Sequence, residues 1–456
     1  MPEALPHIGQ VIDACDELDR RAVLFEKLEQ YVSPGGCPIP QAIARAQVTQ
    51  AYRMLMAFAQ TNYAPLIVRS ARSLLHPGGI RNTGSAELDT AAWAIWQANK
   101  LDAEARLAHD AILTHGRAFA IVWPTEEGDP TITIEDPATT IVEYVEGSRY
   151  ERAAGVRRWI GDDKRPHATL YRPDGVYKFS GPKNSSGGRG TRWERREVTD
   201  ELWPLPPKVE GLVPVVEIAT NRRLKASRYG YAEGDFENVL GLLDRINVLE
   251  FLRLVIAFTA GFPIRAVIGD KILKDDTGAD IAPFKLAVDV VAQFENPNVK
   301  ITELAAADLK SFGEAIDRDA QTLSGLTSTP AYFLRSVPIQ NVSADAIRAA
   351  DLPRVAKADD HKLFLGEGWE EVLRTAGQLH RNQLTLGDAA SLVWLNRESR
   401  SLAERADAAT KLKDVLPWQA VAEIAFDATQ DDISRWQSMV DADSLGQLVR
   451  TDPAQP

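Results

Sequence analysis

One stretch decides the fold of this 456-residue chain, the segment 234–259, which reads GDFENVLGLLDRINVLEFLRLVIAFT. Its apolar residues, from Phe236 to Ile256, occupy more than one stripe of the predicted helix, while charged residues such as Asp244 and Arg253 are spread around it. A helix that is apolar on several sides must be covered on several sides. The sequence therefore predicts a long helix that is covered either by its own chain or by identical neighbours.

The composition is that of a folded, soluble protein. Hydrophobic residues make up 45% and charged residues 25% of the chain, which excludes a disordered or collagen-like protein. Two cysteines, Cys15 and Cys37, cannot build a disulfide framework or a four-cysteine zinc site. The most apolar stretch, 248–268, is interrupted by Glu250 and Pro263, so we expect no membrane-spanning helix and no membrane partner.

The charge is unevenly distributed along the chain. The formal net charge is -12, from 52 Lys and Arg against 64 Asp and Glu, which disfavours tight wrapping of nucleic acid. Residues 149–196 are nevertheless basic, with 13 Lys and Arg against 5 Asp and Glu. This local excess is typical of a solvated, loop-rich surface.

Before the long helix, a helical region is followed by a β-rich one. Apolar residues at three- and four-residue spacing predict helices over about 39–115, with Trp93 and Trp96 as a core anchor and Pro77-Gly78-Gly79 as a helix stop. Alternating β-branched and aromatic residues then predict an antiparallel meander or small sandwich. The glycine- and serine-rich segment 181–190 is typical of a flexible hairpin tip. The predicted strands are 117–122, 131–135, 141–145, 156–160, 168–171, 176–179 and 213–219.

After the long helix, the pattern predicts a small hairpin, two helices and a constrained loop. Strands are expected at 264–268 and 288–294, around a charged turn, and a helix at 306–323. The segment 327–341 contains Pro330 and Pro338, which exclude a regular helix. Ser343 caps a second long helix, bent near Pro353, and we expect everything beyond it to be helical and acidic.

The sequence contains no pattern that indicates catalysis, a metal site or a cofactor. There is no H-E-x-x-H or Gly-x-Ser-x-Gly motif, and His109 and His115, six residues apart, are typical of helix-surface or capping histidines. Adjacent acids such as Asp162-Asp163 point in different directions and seldom make one cation site. We therefore expect no catalytic residue, no metal and no cofactor.

The order of these elements, together with several short motifs, resembles the portal proteins of long-tailed double-stranded DNA bacteriophages, particularly those that infect actinobacteria. The resemblance spans about 62–418, and its weight comes from the order of the motifs. They are NYAPLIV at 62–68, WQANKLD at 96–102, HGRAFAIVWP at 115–124, STPAYF at 328–333 and NVSADAI at 341–347.

This resemblance implies an α+β portal fold with a helix-rich wing that contains an antiparallel β module, a two-helix stem, a small α/β clip hairpin, a tunnel loop with a long kinked helix, and a helical crown. Carried onto this chain, the wing covers 1–233 (helical 40–115, β-rich 117–220), the stem helices 234–262 and 301–326, the clip 263–300, the tunnel loop 327–341, the long wing helix 342–375 and the crown 376–456.

The resemblance also implies roles for individual residues. Side chains of the tunnel loop are expected to face a DNA channel: Tyr332, Phe333, Arg335, Gln340 and Asn341. The tip of the clip is expected to dock a packaging motor and later an adaptor: Lys271, Lys274, Asp275 and Asp276. The stem helix is expected to supply a subunit interface: Phe236, Leu240, Leu243, Ile246, Leu249 and Arg253.

The partners implied by the resemblance are those of a capsid vertex. They comprise identical subunits in a ring, usually of twelve, double-stranded DNA that passes without sequence specificity, the terminase large subunit, a head-tail adaptor, and the major capsid and scaffolding proteins. The implied location is the virion, with the host cytoplasm during assembly. Two alternatives remain open, a capsid-associated structural or injection protein and a metal-dependent DNA-packaging nuclease.

Overall fold

The computed structural model describes ten stretches of the chain, which include most of the predicted wing and stem. They are residues 7–33, 50–81, 83–196, 211–224, 227–261, 265–268, 300–303, 309–334, 343–395 and 402–450.

The helices of these stretches alternate with β structure along the chain. In chain order they are α1 (Ile8–Val32), α2 (Gln50–Phe58), α3 (Tyr63–Arg72), α4 (Ala86–Ala98), α5 (Leu101–His115), α6 (Leu240–Gly261), α7 (Leu309–Thr327), α8 (Ala331–Leu334), α9 (Ala344–Leu379), α10 (Leu402–Leu412), α11 (Trp418–Phe426) and α12 (Gln430–Arg450). A 3-10 turn at Glu237–Val239 precedes α6.

The strands form antiparallel sheets only, among the residues described. They are β1 (Pro77–Arg81), β2 (Arg117–Pro124), β3 (Pro130–Glu135), β4 (Thr140–Tyr144), β5 (Arg152–Ile160), β6 (Pro166–Arg172), β7 (Gly175–Ser180), β8 (Glu194–Arg195), β9 (Val215–Ala219), β10 (Arg265–Ile268), β11 (Lys300–Glu303) and β12 (Ser391–Trp394).

The chain divides into two compact units. The larger unit comprises Met1–Cys37, Asn62–Gly241 and Thr322–Pro456, and the smaller comprises Pro38–Thr61 and Leu242–Gln321.

The β module of the larger unit confirms the predicted antiparallel arrangement. A five-stranded sheet runs in the order β4-β5-β6-β7-β8, and a three-stranded sheet has the order β3-β2-β9. Helix α1 packs on the larger sheet, where Leu18 and Phe179 lie in one buried cluster. A second cluster, which includes Phe119 and Tyr171, joins residues of both sheets. Helix α1 is therefore part of this β module.

A buried ion pair ties the three-stranded sheet together. Arg117 Nη1 on β2 lies 2.7 Å from Glu217 Oε1 on β9, and Tyr144 donates its hydroxyl to Glu217 Oε2 at 2.6 Å. Burial would raise the pKa of Glu217, but the charges of Arg117 and Arg222 hold it below its usual value. A carboxylate and a guanidinium can remain buried because each satisfies the other and both are hydrogen-bonded.

The tryptophans form the predicted core anchor. The rings of Trp93 and Trp96 stack with centroids 5.4 Å apart, and Trp96 meets Trp369 of α9 edge-on at 5.1 Å. The Trp369 Nε1–H donates to His109 Nε2 at 3.1 Å. The interpretation of His109 as a surface or capping residue was wrong, because its side chain is fully buried and burial lowers its pKa to about 3.

Two predictions about the helical regions need correction. The segment 77–79 does not simply stop a helix, because Pro77 begins strand β1, which pairs with β12. An added Cβ on Gly78 would lie 2.3 Å from the Leu395 side chain, so a larger residue here would require Leu395 to move. The region beyond α9 is correspondingly not all helical, since β12 returns to the amino-terminal helices.

The segment 181–190 is held against α1, which contradicts the predicted flexible hairpin tip. The guanidinium of Arg158 donates to Gly187 O at 3.1 Å and lies 2.7 Å from Asp19 Oδ1 on α1. The backbone N–H of Arg189 donates to the other oxygen of Asp19 at 3.1 Å. Composition alone did not reveal these contacts, because Asp19 lies about 170 residues earlier in the chain.

The smaller unit is built around α6. Leu55 and Ala59 of the α2 region pack on Phe251 of α6. Arg245 of α6 forms two hydrogen bonds with Asp319 of α7, at 2.7 and 2.6 Å. Strands β10 and β11 pair antiparallel; the first confirms a predicted strand, the second was not predicted, and the strand expected at 288–294 lies outside the described residues.

Among the described residues, no helix combines the length and the hydropathy that crossing a bilayer requires.

Candidate functional site

The described part of the predicted tunnel loop is a compact turn between α7 and α9. We call residues 327–334 the loop root. Ser328 has a φ of 54°, a left-handed conformation that ends α7. Thr329 N donates to Ser324 O at 3.2 Å, and the Ser324 hydroxyl donates to Thr329 O at 2.7 Å. These bonds satisfy backbone groups at the end of α7 and fix the direction in which the chain leaves it.

A single helical turn, α8, follows directly after Pro330. The sequence excluded a regular helix here because of Pro330 and Pro338, but proline is well tolerated just before or at the first position of a helix. Phe333 N accordingly donates to Pro330 O at 2.9 Å. The prediction of an irregular loop was therefore wrong for these four residues.

The two aromatic residues of the loop root pack side by side and contact α9. The rings of Tyr332 and Phe333 lie 4.7 Å apart, and the Tyr332 hydroxyl donates to Asp351. The guanidinium of Arg354 lies 5.4 Å from the centre of the Phe333 ring, and its Nη2 is 3.2 Å from Asp351 Oδ2. Burial, reinforced by the bond to Asp351, raises the pKa of Tyr332 to about 12. Tyr332 is therefore a neutral hydrogen-bond donor at physiological pH.

Two further residues of α9, one turn along, meet a buried carboxylate. We call Asp235, Lys357 and His361 the buried cluster. Lys357 Nζ lies 2.7 Å from Asp235 Oδ2, and His361 Nε2 lies 3.1 Å from Asp235 Oδ1. The Asp235 side chain is fully buried. Its burial would raise the pKa, but the hydrogen bond from His361 and the charge of Lys357 hold the pKa of Asp235 well below its usual range.

The buried cluster is bonded to the loop root. Lys357 Nζ donates a second hydrogen bond, 3.0 Å long, to Thr327 O at the end of α7. His361 Nδ1 lies 2.6 Å from the hydroxyl of Thr220, which follows β9. The cluster therefore joins three parts of the larger unit, the sheet end, α9 and the loop root, through one carboxylate.

The backbone at Gly234 and Asp235 explains why the long helix starts later than predicted. Asp235 N donates to Leu113 O at 2.8 Å, and a Cβ on Gly234 would lie 2.0 Å from Thr114 O. This backbone is bonded to α5 and cannot be helical. The helix expected from Gly234 begins at Leu240, after a 3-10 turn, and ends at Gly261.

The predicted stem interface residues separate into two groups. Four are buried within the single chain, with exposed fractions of 9% or less: Phe236, Leu240, Leu243 and Ile246. Their burial shows that they contribute to the core of the single chain, and their expected role in a subunit interface stays a prediction. The other two, Leu249 and Arg253, are half-buried on the later part of α6, which also exposes 39% of Leu252 and 41% of Phe258.

The remaining predicted site residues lie outside the described part of the chain. These are the channel residues Arg335, Gln340 and Asn341 and the clip residues Lys271, Lys274, Asp275 and Asp276. Of the predicted channel residues, the structure therefore describes Tyr332 and Phe333, and it brings these two together.

The contacts that hold the loop root were missed by sequence reasoning. Asp351, Arg354, Lys357 and His361 follow one another at three- or four-residue spacing, which places them along one side of α9. Charged residues on the side of a helix that elsewhere buries Leu365 indicate buried ion pairs. Their common partner, Asp235, lies 126 residues before His361 and could not be found by spacing.

The described residues contain no group of three or more His, Cys, Asp or Glu side chains placed to hold a metal ion.

Comparison with known families identifies the chain. The family model described as "Phage portal protein, SPP1 Gp6-like" matches residues 38–444. The chain belongs to the phage portal protein family. The match includes α6, the loop root and α9, so the site described above lies in the part of the chain that the family shares. Portal proteins are virion components, as the family name indicates.

Two curated relatives carry the same name. The portal protein of Mycobacterium phage D29 is 28% identical over 487 aligned positions, which cover 100% of this chain and 96% of the relative. The portal protein of Mycobacterium phage L5 is 28% identical over 446 positions, which cover 91% of this chain and 86% of the relative. These relatives confirm the predicted resemblance to portal proteins of phages that infect actinobacteria.

Solved structures show weaker similarity. The neck of an empty gene transfer agent particle computed with C6 symmetry has a TM-score of 0.43 at 12% identity and covers 83% of this chain and 94% of its own. The neck of the native particle computed with C12 symmetry has a TM-score of 0.43 at 14% identity and covers 82% and 93%. The portal assignment rests on the family model and the mycobacteriophage relatives.

Proposed function

We propose that this portal-family chain forms a closed ring of twelve copies at one capsid vertex and that double-stranded DNA passes through its centre during packaging and ejection. The observation that carries the proposal is the uneven covering of α6. In its first half Leu243 and Ile246 are buried within the chain, whereas Leu252 and Phe258 on its second half are left 39% and 41% exposed. Apolar residues exposed on a helix favour contact with another copy, and a head-to-tail contact that closes gives a ring.

The loop root suits a place beside the moving DNA. Its backbone and aromatic side chains are bonded to α9 through Asp351 and Lys357, so the loop that follows starts from a fixed position. We propose that Tyr332 and Phe333 lie near the channel and that Arg335, Gln340 and Asn341 face it. The net charge of -12 fits a conduit, because each phosphate that a Lys or Arg neutralises adds affinity that would hold the DNA in place.

The clip is proposed to receive successive partners. Lys271, Lys274, Asp275 and Asp276 would dock the terminase large subunit during packaging and the head-tail adaptor afterwards, while the major capsid and scaffolding proteins would meet the wing. Assembly would take place in the host cytoplasm before the protein becomes part of the virion. Replacing both lysines by glutamate should weaken motor docking and leave ring assembly unchanged. Normal packaging by rings with these substitutions would show that the clip does not dock the motor.

The ring is tested by substitutions on the exposed half of α6. Twelve copies of the 50.2 kDa chain make a particle of about 600 kDa, which mass photometry separates from a monomer. Leu252→Asp should leave only small species, because it places a charge in the proposed interface. The matched control is Leu224→Asp, at a leucine that is 87% exposed outside the stem, and it should still form rings. Full-size rings with Leu252→Asp would contradict the proposed interface.

A further inference from the structure

One end of the five-stranded sheet gathers exposed basic side chains. Strands β5 and β7 end there, and β6 and β8 begin there, because neighbouring strands run in opposite directions. We call six exposed residues at this place the basic end: Lys164, Arg165, Lys183, Arg189, Arg192 and Arg195.

Backbone hydrogen bonds make the basic end one continuous surface. Asn184 N donates to Lys164 O at 2.8 Å, and Gly181 N donates to Pro166 O at 2.8 Å. The turn between β5 and β6 and the segment after β7 therefore lie side by side. Arg189 is fixed in the same place through the bond of its backbone N–H to Asp19.

Two of the acids nearby, Asp163 and Asp19, already have partners, and a third, Asp162, is exposed beside them. Asp163 accepts the backbone N–H of Arg165 at 3.0 Å and lies 3.2 Å from His167. Asp19 is occupied by Arg158 at 2.7 Å. The basic end contains one loose ion pair, Arg192 with Glu194 at 4.0 Å. Within the described chain, the following side chains form no ion pair: Lys164, Arg165, Lys183, Arg189 and Arg195.

Other arginines of the same β module form ion pairs within the chain. Arg152, Arg157 and Arg158 each form an ion pair with an acid of another element, at 2.9, 2.8 and 2.7 Å. The local basic excess seen in the sequence thus separates into arginines that hold the fold and cations that are free to meet a partner.

The chemistry of the basic end favours a phosphate backbone over a protein partner. Protein interfaces have an apolar, aromatic-rich centre. Here the described residues of 160–166 and 180–196 expose one large apolar side chain, Ile160, and Trp193 is buried. Between the cations lie glycines and serines, which let a polymer approach the backbone; Gly190 has no heavy atom near its Cβ position. Lys, Arg and backbone N–H groups are the usual partners of DNA phosphates.

We propose that the basic end binds the phosphate backbone of double-stranded DNA without sequence preference, on the outside of the sheet. The inference rests on the proposed function, which is what brings double-stranded DNA to this chain, because a portal ring and the packaged genome share one particle. The basic end would bind DNA, whereas the proposed channel must let DNA slide. The protein would then contact DNA at two different places.

The test measures binding of the purified chain to a covalently closed DNA minicircle, which cannot thread through a ring. Fluorescence anisotropy is recorded from 50 to 300 mM salt. The triple variant Arg165→Glu, Lys183→Glu and Arg192→Glu should bind more than about tenfold more weakly at 100 mM salt. Its plot of log affinity against log salt should be flatter by about three contacts.

The matched control reverses three exposed cations elsewhere in the larger unit, Lys27→Glu, Arg106→Glu and Lys413→Glu, and changes the net charge equally. It should stay within about threefold of the wild type. Equal losses in both triple variants would overturn the proposal, as would a wild-type affinity that does not depend on salt. Stronger binding of poly-glutamate than of the minicircle would assign the surface to an acidic protein.

Mass photometry on the same samples separates this inference from the proposed function. Rings that do not bind minicircles would overturn the basic end as a DNA site and leave the conduit standing. Monomers that bind minicircles through the basic end would support the basic end as a DNA site and overturn the conduit.

Discussion

The buried cluster and the basic end use charge in opposite ways. In the buried cluster, Asp235 lies within 3.1 Å of both its partners, Lys357 and His361, and is fully enclosed. At the basic end, six cations are exposed, and their one ion pair is 4.0 Å long. Charges that hold this fold are thus buried and paired, whereas charges available to a partner are exposed and unpaired. The difference predicts that substitutions at the first site change stability and substitutions at the second change binding.

The largest effect is expected from Asp235→Asn. This change keeps the size of the side chain but leaves the mostly buried Lys357 without its anion, which should lower the free energy of unfolding by about 3–5 kcal/mol in urea denaturation. The control is Asp359→Asn on the same helix, whose exposed pair with Lys362 should contribute less than about 1 kcal/mol. Equal free energies of unfolding for the two variants would contradict the claim that the buried pair stabilises the fold more than the exposed pair does.

A second buried group, the imidazole of His109, should make the free energy of unfolding depend on pH. Its hydrogen-bond partner, Trp369, is neutral and does not stabilise a protonated ring. Burial lowers the pKa of His109 to about 3, against about 6.5 in an unfolded chain. Its contribution is complete above pH 6.5 and is lost as the pH falls toward 3, since the unfolded state then binds one more proton. From pH 7 to pH 5 this loss is about 2 kcal/mol. His109→Gln keeps an acceptor for Trp369 and should lack this component, and an unchanged pH dependence would contradict the assignment.

A smaller effect is expected at the loop root. Tyr332→Phe removes the hydrogen bond to Asp351 and should cost about 1 kcal/mol, measured as a lower urea midpoint. Tyr150→Phe is the control, because that side chain is 84% exposed and should change nothing measurable. A Tyr332→Phe variant as stable as the control would show that the loop root is not anchored through this hydroxyl.

The smallest effect on stability is expected at the basic end. The triple variant that reverses Arg165, Lys183 and Arg192 should unfold within about 1 kcal/mol of the wild type, because these side chains hold no structural partner tightly. A larger loss of stability would mean that the basic end supports the fold, and the contrast with the buried cluster would disappear.

Local signals in the sequence predicted much of the fold. Ser343 caps α9 as expected, accepting the backbone N–H of Ala346 at 3.2 Å. Seven strands of the β module also lie where alternation placed them, whereas the two-residue strand β8 was not predicted. Each of these features is decided by residues within a few positions, so composition and spacing suffice.

Features that depend on distant partners could not be predicted. The pairing of β1 with β12 joins residues such as Ile80 and Leu392, which lie far apart in the chain. The helical pattern of α6 also revealed an excess of apolar surface but not which part the chain itself covers. Leu243 and Ile246, which were expected at a subunit interface, are buried within the chain itself.

The most direct test of the whole account is a cryo-electron microscopy map of the purified chain at a resolution that shows side chains. The account predicts a ring with a central opening whose narrowest part is bordered by residues 327–341, with Leu252 and Phe258 of α6 against a neighbouring copy. Monomers at high concentration, or a ring with this loop on its outer rim, would contradict it.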